Sequence, residues 1–226
     1  MQNLQIITTA DGSNTIYNPT IGENYHSKHG ALQESLHVFV GQGLQYFLEK
    51  NNTATQVAIL EVGFGTGLNF LLSAQHCINN NIKLNYTGIE AFPLSHNMIT
   101  QTGYQQYITP QLWQAFINNY PSAFTNIMAI NALCNLQIAH IPLLNFTSEK
   151  IFDMIYFDAF AAIHQASMWT LESISHCTKL LKPGGVFVTY AITGNLKRML
   201  QNLDFSIQKV KGAAGKREML RAVKNT

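Results

Sequence analysis

Residues 57–70 read Val57-Ala58-Ile59-Leu60-Glu61-Val62-Gly63-Phe64-Gly65-Thr66-Gly67-Leu68-Asn69-Phe70. An apolar run of strand length leads into an acid and three alternate glycines, and apolar residues at helical spacing follow. This is a strand feeding a tight turn and a helix. In an open parallel sheet a ligand sits beyond the carboxyl ends of the strands, where the first turn brings its backbone against it. Gly63, Gly65 and Gly67 permit that approach, because side chains would block it and the turn needs positive φ at one or more of them. The spacing argues against two common ligands. A dinucleotide fingerprint needs Gly or Ala where Leu68 stands. A phosphate-cradling loop ends in Gly-Lys-Ser/Thr, and the chain has Asn69 and Phe70 there.

The rest of the chain fits an alternating α/β pattern. Thr8–Ser13 with Thr15–Tyr17 predicts a hairpin, and apolar positions from Leu32 to Leu48 predict a helix packed on the sheet, broken at Gly41 and Gly43. Strands are expected at 57–62, 84–89, 136–141, 151–157 and 186–191. Helices are expected at 68–80, in pieces between 92 and 133 around Pro110 and Pro121, at 166–181 ending before Lys182-Pro183-Gly184-Gly185, and at 195–202. Two closing strands, 205–210 and 217–223, are near enough to pair as a hairpin. The pattern implies a doubly wound, mostly parallel sheet with right-handed crossovers and one antiparallel member. Residues 1–50 read as an extension packed on a core of residues 51–226, in one structural unit.

With 226 residues, 46% of them hydrophobic, the chain can bury a full core. No stretch approaches the ~18 apolar residues of a membrane span and the amino terminus lacks signal-peptide character, so a cytoplasmic protein is expected. Cys77, Cys134 and Cys177 are widely spaced and form no zinc or redox pair. The eight histidines match no metal motif and read as surface or packing residues, and no metal is expected. The net charge of +2 hides a division along the chain. Residues 1–178 hold four Lys/Arg (Lys28, Lys50, Lys83, Lys150) against ten Asp/Glu, whereas residues 179–226 hold ten Lys/Arg against Asp204 and Glu218. A basic carboxyl-terminal section suits a polyanion partner, although a solvated surface gives the same count.

Two strand-end acids stand out. Glu90 follows the second strand, where a carboxylate can take both ribose hydroxyls of a nucleoside; the alternative is a solvated strand end. Asp158 ends the fourth strand and opens Asp158-Ala159-Phe160-Ala161-Ala162 on the substrate side, with a helix cap or loop tie as its alternative.

Glu61-x-Gly63-x-Gly65-x-Gly67 resembles the first motif of class I S-adenosylmethionine-dependent methyltransferases. Tyr25-His26-Ser27, Gly30, Gln33-Glu34-Ser35, Glu61 through Phe70, Glu90 with Phe92-Pro93-Leu94, Phe157-Asp158 through Met168-Trp169-Thr170, and Gly215-Lys216-Arg217-Glu218-Met219-Leu220 are similar, in order, to the methyltransferase domain of the MnmC family. That resemblance implies methyl transfer from S-adenosylmethionine to the exocyclic amine of 5-aminomethyl-(2-thio)uridine at the wobble position of tRNA. It assigns Gly63, Phe64, Gly65, Thr66, Gly67 and Asn69 to the cofactor turn, Glu90, Ala91 and Phe92 to the nucleoside end, and Asp158 to cofactor contact and to deprotonating the amine. Glu61 would act near the sulfonium, or else bond the following loop. Tyr25, Glu34 and Phe160 would border the acceptor, with Trp169 either stacking or in the core, and Lys197, Arg198, Lys216 and Arg217 would meet phosphates.

The chain departs from the family in three places. Ala162 and Ala166 replace loop prolines, Ile141-Pro142 stands near a usual Gly-Asp pair, and no flavin-dependent oxidase region follows, so a stand-alone form without flavin is expected. Two other readings use the same residues: a methyltransferase or aminopropyltransferase for a small amine, and an inactive RNA-binding module.

Overall fold

A computed structural model describes residues 4–226. Strands β1 (Gln5–Thr8), β2 (Asn14–Asn18) and β3 (Glu23–Asn24) form a small antiparallel sheet. The expected hairpin is present, and Asp11 stabilises its turn by accepting from the Ser13 N–H and from the Thr9 and Ser13 hydroxyls. Helix α1 then runs through residues 31–50 without a break. Its middle, Ser35–Gln45, is a π-helix, so Gly41 and Gly43 lie inside a wider helix rather than ending one. Gly43 explains the close packing, since a Cβ there would lie 3.0 Å from the Tyr156 ring and from Val188.

The main sheet comprises β4 (Gln56–Val62), β5 (Lys83–Ile89), β6 (Met128–Ala129), β7 (Cys134–Ala139), β8 (Phe152–Phe157), β9 (Leu181–Thr189), β10 (Phe205–Lys211) and β11 (Glu218–Lys224), in the order β10-β11-β9-β8-β4-β5-β7-β6. Strands β4, β5, β7, β8 and β9 are parallel. The closing hairpin makes β11 antiparallel to both its neighbours. A second antiparallel member, the two-residue β6 on β7, was not expected, because two residues carry no periodicity. The central strands are buried on both faces by helices, as a continuous apolar sequence requires. Val57, Ile59, Leu60 and Val62 of β4 are fully buried, each contributing about 1.5–3 kcal/mol.

Helix α2 (Leu68–Asn79) follows β4, with Gly67 at its start in the left-handed region, φ +78°. Helices α3 (His96–Thr100) and α4 (Pro110–Asn119) occupy the segment between β5 and β6, and Pro110 opens α4 where a missing N–H costs nothing. Helix α5 is shorter than expected, Leu171–Thr178, because Thr170 caps it by accepting the Ser173 N–H and a separate 3₁₀ turn, Ala166–Trp169, precedes it. Lys182-Pro183-Gly184-Gly185 does not end that helix. It forms an irregularity at the start of β9, between the Phe152–Leu181 and Met154–Val186 pairings, with Gly184 at φ +74°. Helix α6 (Gly194–Asn202) is capped by Thr193.

From β4 the chain winds outward through β5 and β7, then returns to place β8 on the other side of β4. The order therefore reverses between β4 and β8, which opens a crevice at their carboxyl ends. Val62 pairs with Phe157 in register, so Gly63 and Asp158 leave the sheet side by side. Among the described residues no helix is long and apolar enough to cross a membrane.

Candidate active site

A cavity of about 510 Å³ lies over this reversal point, within the size range of small-molecule sites. Its floor is the glycine turn. Gly63 takes φ +87° and a Cβ on it would stand 2.5 Å from the Asp158 carbonyl oxygen, so only glycine lets the β4 and β8 exits pass. Gly65, at φ +51°, faces the Tyr25 ring. Gly63 and Phe64 N–H groups donate to the Ile89 carbonyl, and the Gly65 N–H donates to Glu90 Oε2 at 2.9 Å. The other oxygen of Glu90 accepts the Phe92 N–H at 2.9 Å. Glu90 thus fastens the turn to the end of β5 while lining the cavity, and burial raises its pKa.

Asn69, on the first turn of α2, links the two remaining acids. Its Nδ2 donates to Glu61 Oε1 at 2.7 Å and to Asp158 Oδ2 at 2.8 Å, and its Oδ1 is buried with no partner among the described residues. The Tyr86 hydroxyl donates to Glu61 Oε2 at 2.9 Å. Glu61 is fully buried behind the turn and is absent from the cavity wall. Burial, then the Asp158 charge, pushes its pKa well up. Asp158 does line the cavity, and burial, followed by the Glu34 carboxylate, lifts its pKa to about 8, with the Asn69 bond and Lys216 opposing.

The opposite wall comes from the amino-terminal segment. Tyr25 meets Phe160 edge-on, 5.1 Å between centroids. Glu34 is buried, accepting the Ser27 N–H at 2.8 Å and the Lys216 ammonium at 2.6 Å. Glu23 accepts the Ala161 N–H at 2.9 Å, and the His164 and Gln165 N–H groups return to the Ala161 carbonyl, which ties the segment holding Ala162. Trp169 is in the core, against Phe157 at 5.1 Å, with its Nε1–H donating to the Phe160 carbonyl; it offers no stacking face to a ligand.

Of the sequence candidates, Tyr25, Glu34, Gly63, Phe64, Gly65, Thr66, Asn69, Glu90, Ala91, Phe92, Asp158, Phe160 and Lys216 share this cavity. Glu61, Gly67, Lys197, Arg198 and Arg217 are outside its wall. The sequence assigned no site role to Glu23 or Tyr190, nor to His26 and residues 141–143, of which His26 figured only in the resemblance and Ile141-Pro142 only as a departure from it; all line the cavity. His26 is buried between Thr15, 2.9 Å from Nδ1, and Thr66, 3.3 Å from Nε2, and burial lowers its pKa to about 4, so the ring is neutral. Tyr190 follows β9 much as Asp158 follows β8, and the strand-end rule that found Asp158 points to it as well. The basic carboxyl-terminal section is less of a free surface than its count suggests. Lys182 pairs with Asp153 and Lys216 with Glu34, Arg221 bonds Gln42 and Gln208 over the Tyr46 ring, and Lys224 donates to the Thr178 and Leu181 carbonyls. The three cysteines are buried free thiols, pushed by burial to about 12, 11 and 12 for Cys77, Cys134 and Cys177.

A family profile described as S-adenosyl-L-methionine-dependent methyltransferase matches residues 107–225. The chain belongs to that methyltransferase family. This methyltransferase is also similar to the tRNA 5-methylaminomethyl-2-thiouridine biosynthesis bifunctional protein MnmC of Idiomarina loihiensis, 30% identical over 89% of this chain and 35% of that protein. The protein of the same description from Burkholderia thailandensis is 30% identical over 91% of this chain and 33% of its own length. The methyltransferase spans about a third of these curated relatives. The crystal structure of MNMC2 from Aquifex aeolicus superposes with a TM-score of 0.77 at 24% identity, covering 98% of this chain and 70% of that one. The sugar N-methyltransferase KedS8 from Streptoalloteichus gives 0.52 at 11% identity over 86% of this chain and 87% of its own. Both share the class I fold.

The residues present fit S-adenosylmethionine. Asn69 lines the cavity and its Oδ1 is a buried acceptor without a partner among the described residues, and a side chain at Gly63 or Gly65 would collide with the Asp158 backbone or the Tyr25 ring that bound the cradle. Glu90 and Asp158 face the same space, where a bound sulfonium cation would favour the ionised form of both.

Proposed function

We propose that this methyltransferase transfers a methyl group from S-adenosylmethionine to the exocyclic amine of 5-aminomethyl-(2-thio)uridine at the wobble position of tRNA. The observation that carries the reading is the Asp158 carboxylate, held by Asn69 beside the glycine turn in a cavity that also opens to the Tyr25–Phe160 side. Bound at that turn, the cofactor would supply an electrophilic methyl on sulfur for the amine nitrogen, with S-adenosylhomocysteine as the leaving group. Asp158 orients the amine and takes the proton it sheds, and its pKa of about 8 suits a base working near neutrality. The rigid turn contributes by holding the two reacting partners in line. Glu90 would bind the ribose hydroxyls, Ala91 and Phe92 the adenine side, and residues 63–69 the methionine part.

The relatives' description as tRNA-modifying proteins supports the RNA end of the reading. Residues 1–50, read as an extension on the core, supply the acceptor wall. Tyr25 and Phe160 offer an aromatic edge to an unstacked base. Lys197, Arg198 and Arg217, which form no ion pair among the described residues, would contact phosphates and add salt-dependent affinity. A cytoplasmic site of action accords with that substrate. The test incubates the protein with labelled S-adenosylmethionine and tRNA from cells lacking this gene. Label is expected in 5-methylaminomethyl-(2-thio)uridine at the wobble position. Label in another nucleoside, or only in a small amine, overturns the proposal.

A further inference from the structure

Lys216 is not placed for a phosphate contact. From the turn between β10 and β11 it reaches into the cavity, where Nζ donates to Glu34 Oε1 at 2.6 Å and lies 3.8 Å from the centroid of the Tyr190 ring. Tyr190 is fixed in turn, its hydroxyl donating to the Ala159 carbonyl at 2.9 Å, next to Asp158. The turn bearing Lys216 is also seated, with Gly215 at φ +81° packed directly on the His29 ring. A buried carboxylate and an aromatic face together hold the ammonium in one position.

Three carboxylates face this end of the cavity: Glu23, Glu34 and Asp158. Lys28 stands at its exposed rim, and Glu90, held by the Gly65 and Phe92 N–H groups, also lines the cavity. His26 is neutral, and burial raises the pKa of the Tyr25 and Tyr190 phenols, so they stay protonated. Without Lys216 the buried Glu34 carboxylate would stand uncompensated, and Asp158 would add its own charge as pH passes about 8; that negative charge favours an ammonium over an amine. An ammonium has no lone pair and cannot accept a methyl group. It would bind tightly in a form that does not react.

Building on the methyl-transfer reading above, we propose that the Lys216 ammonium, fixed between Glu34 and the Tyr190 face, makes the acceptor end of the cavity take its substrate as a neutral amine and exclude the protonated form. Lys216 is then a positioning residue that selects the reactive state of the acceptor, distinct from Asp158, which receives the proton.

The experiment measures binding, in the presence of S-adenosylhomocysteine, of two tRNAs that differ only in whether the wobble uridine carries the aminomethyl group, across pH 6.5 to 9. Wild-type protein should prefer the aminomethyl tRNA increasingly as pH rises. Lys216→Met should show that preference already at pH 6.5, about ten-fold above wild type, equivalent to a one-unit shift. In turnover it should lower KM and kcat together at pH 7, with kcat recovering toward pH 9. Lys216→Arg, which keeps the charge, should follow wild type, and unchanged S-adenosylhomocysteine affinity reports an intact fold. If wild type discriminates the two tRNAs but Lys216→Met shows the same pH dependence, the role of Lys216 is refuted and the substrate reading stands. If wild type discriminates them at no pH, the amine is not read at all and both fall.

Discussion

Replacing Asp158 by Asn should make the protein more stable and unable to work. The native pKa of Asp158 is about 8, against 3.8 for an ordinary aspartate. Below about pH 4 the group is protonated in both native and unfolded states, and its contribution to stability is at its largest. As pH rises the unfolded chain ionises first, and the native state loses ground until pH passes about 8, beyond which the penalty is constant. Four units correspond to about 5–6 kcal/mol in a dry interior; the carboxylate faces a cavity open to water, which reduces the figure to roughly 2–4 kcal/mol. An asparagine keeps an oxygen for the Asn69 N–H and never ionises. Urea unfolding of both proteins without cofactor should therefore show a difference near zero at pH 4 that grows in favour of Asp158→Asn and levels off near pH 8–9. Methyl transfer by the variant should drop about 10²–10⁴-fold, with S-adenosylhomocysteine binding within a few-fold of wild type. A stability difference that does not change with pH, or a variant weaker than wild type at pH 9, would refute the assignment of a buried, crowded carboxylate.

Three further outcomes follow from the geometry. Gly63→Ala places a Cβ 2.5 Å from the Asp158 carbonyl oxygen at φ +87°; it should cost about 1–3 kcal/mol and abolish cofactor binding measured by calorimetry. His26→Phe leaves the Thr15 hydroxyl without its ring partner and Thr66 with only the Tyr104 hydroxyl, so cofactor affinity should fall about ten-fold. Because His26 titrates near 4, wild-type activity should show no limb from it above pH 5. Gly43→Leu drives a side chain into Tyr156 and Val188 and should lower stability by about 1–3 kcal/mol, read as a lower urea midpoint, with no direct effect on S-adenosylhomocysteine contacts.

The alternation of strands and helices, the glycine turn and the acids at the ends of β5 and β8 were legible in the sequence. Each is a local pattern, set by side-chain period and by backbone freedom within a few residues. The uninterrupted helix through Gly41 and Gly43 was not, because Tyr156 and Val188 on distant strands determine how closely its backbone must approach. The same holds for Glu61. Its place in the motif allowed either a charge near the ligand or a bond to the segment that follows, and the choice depends on Tyr86 and Asn69, which hold it behind the turn. Lys216 shows the limit most clearly. As one of ten basic residues it belonged to a charge count, yet its partner Glu34 lies 182 positions away and its ring, Tyr190, lies on another strand end. Sequence by itself determined the alternation of strands and helices and the ligand turn, since these follow from short-range backbone preferences. Only the tertiary structure decided which charges enter the cavity and which stay in solvent, because an ion pair depends on where the closed fold brings residues that the chain keeps far apart.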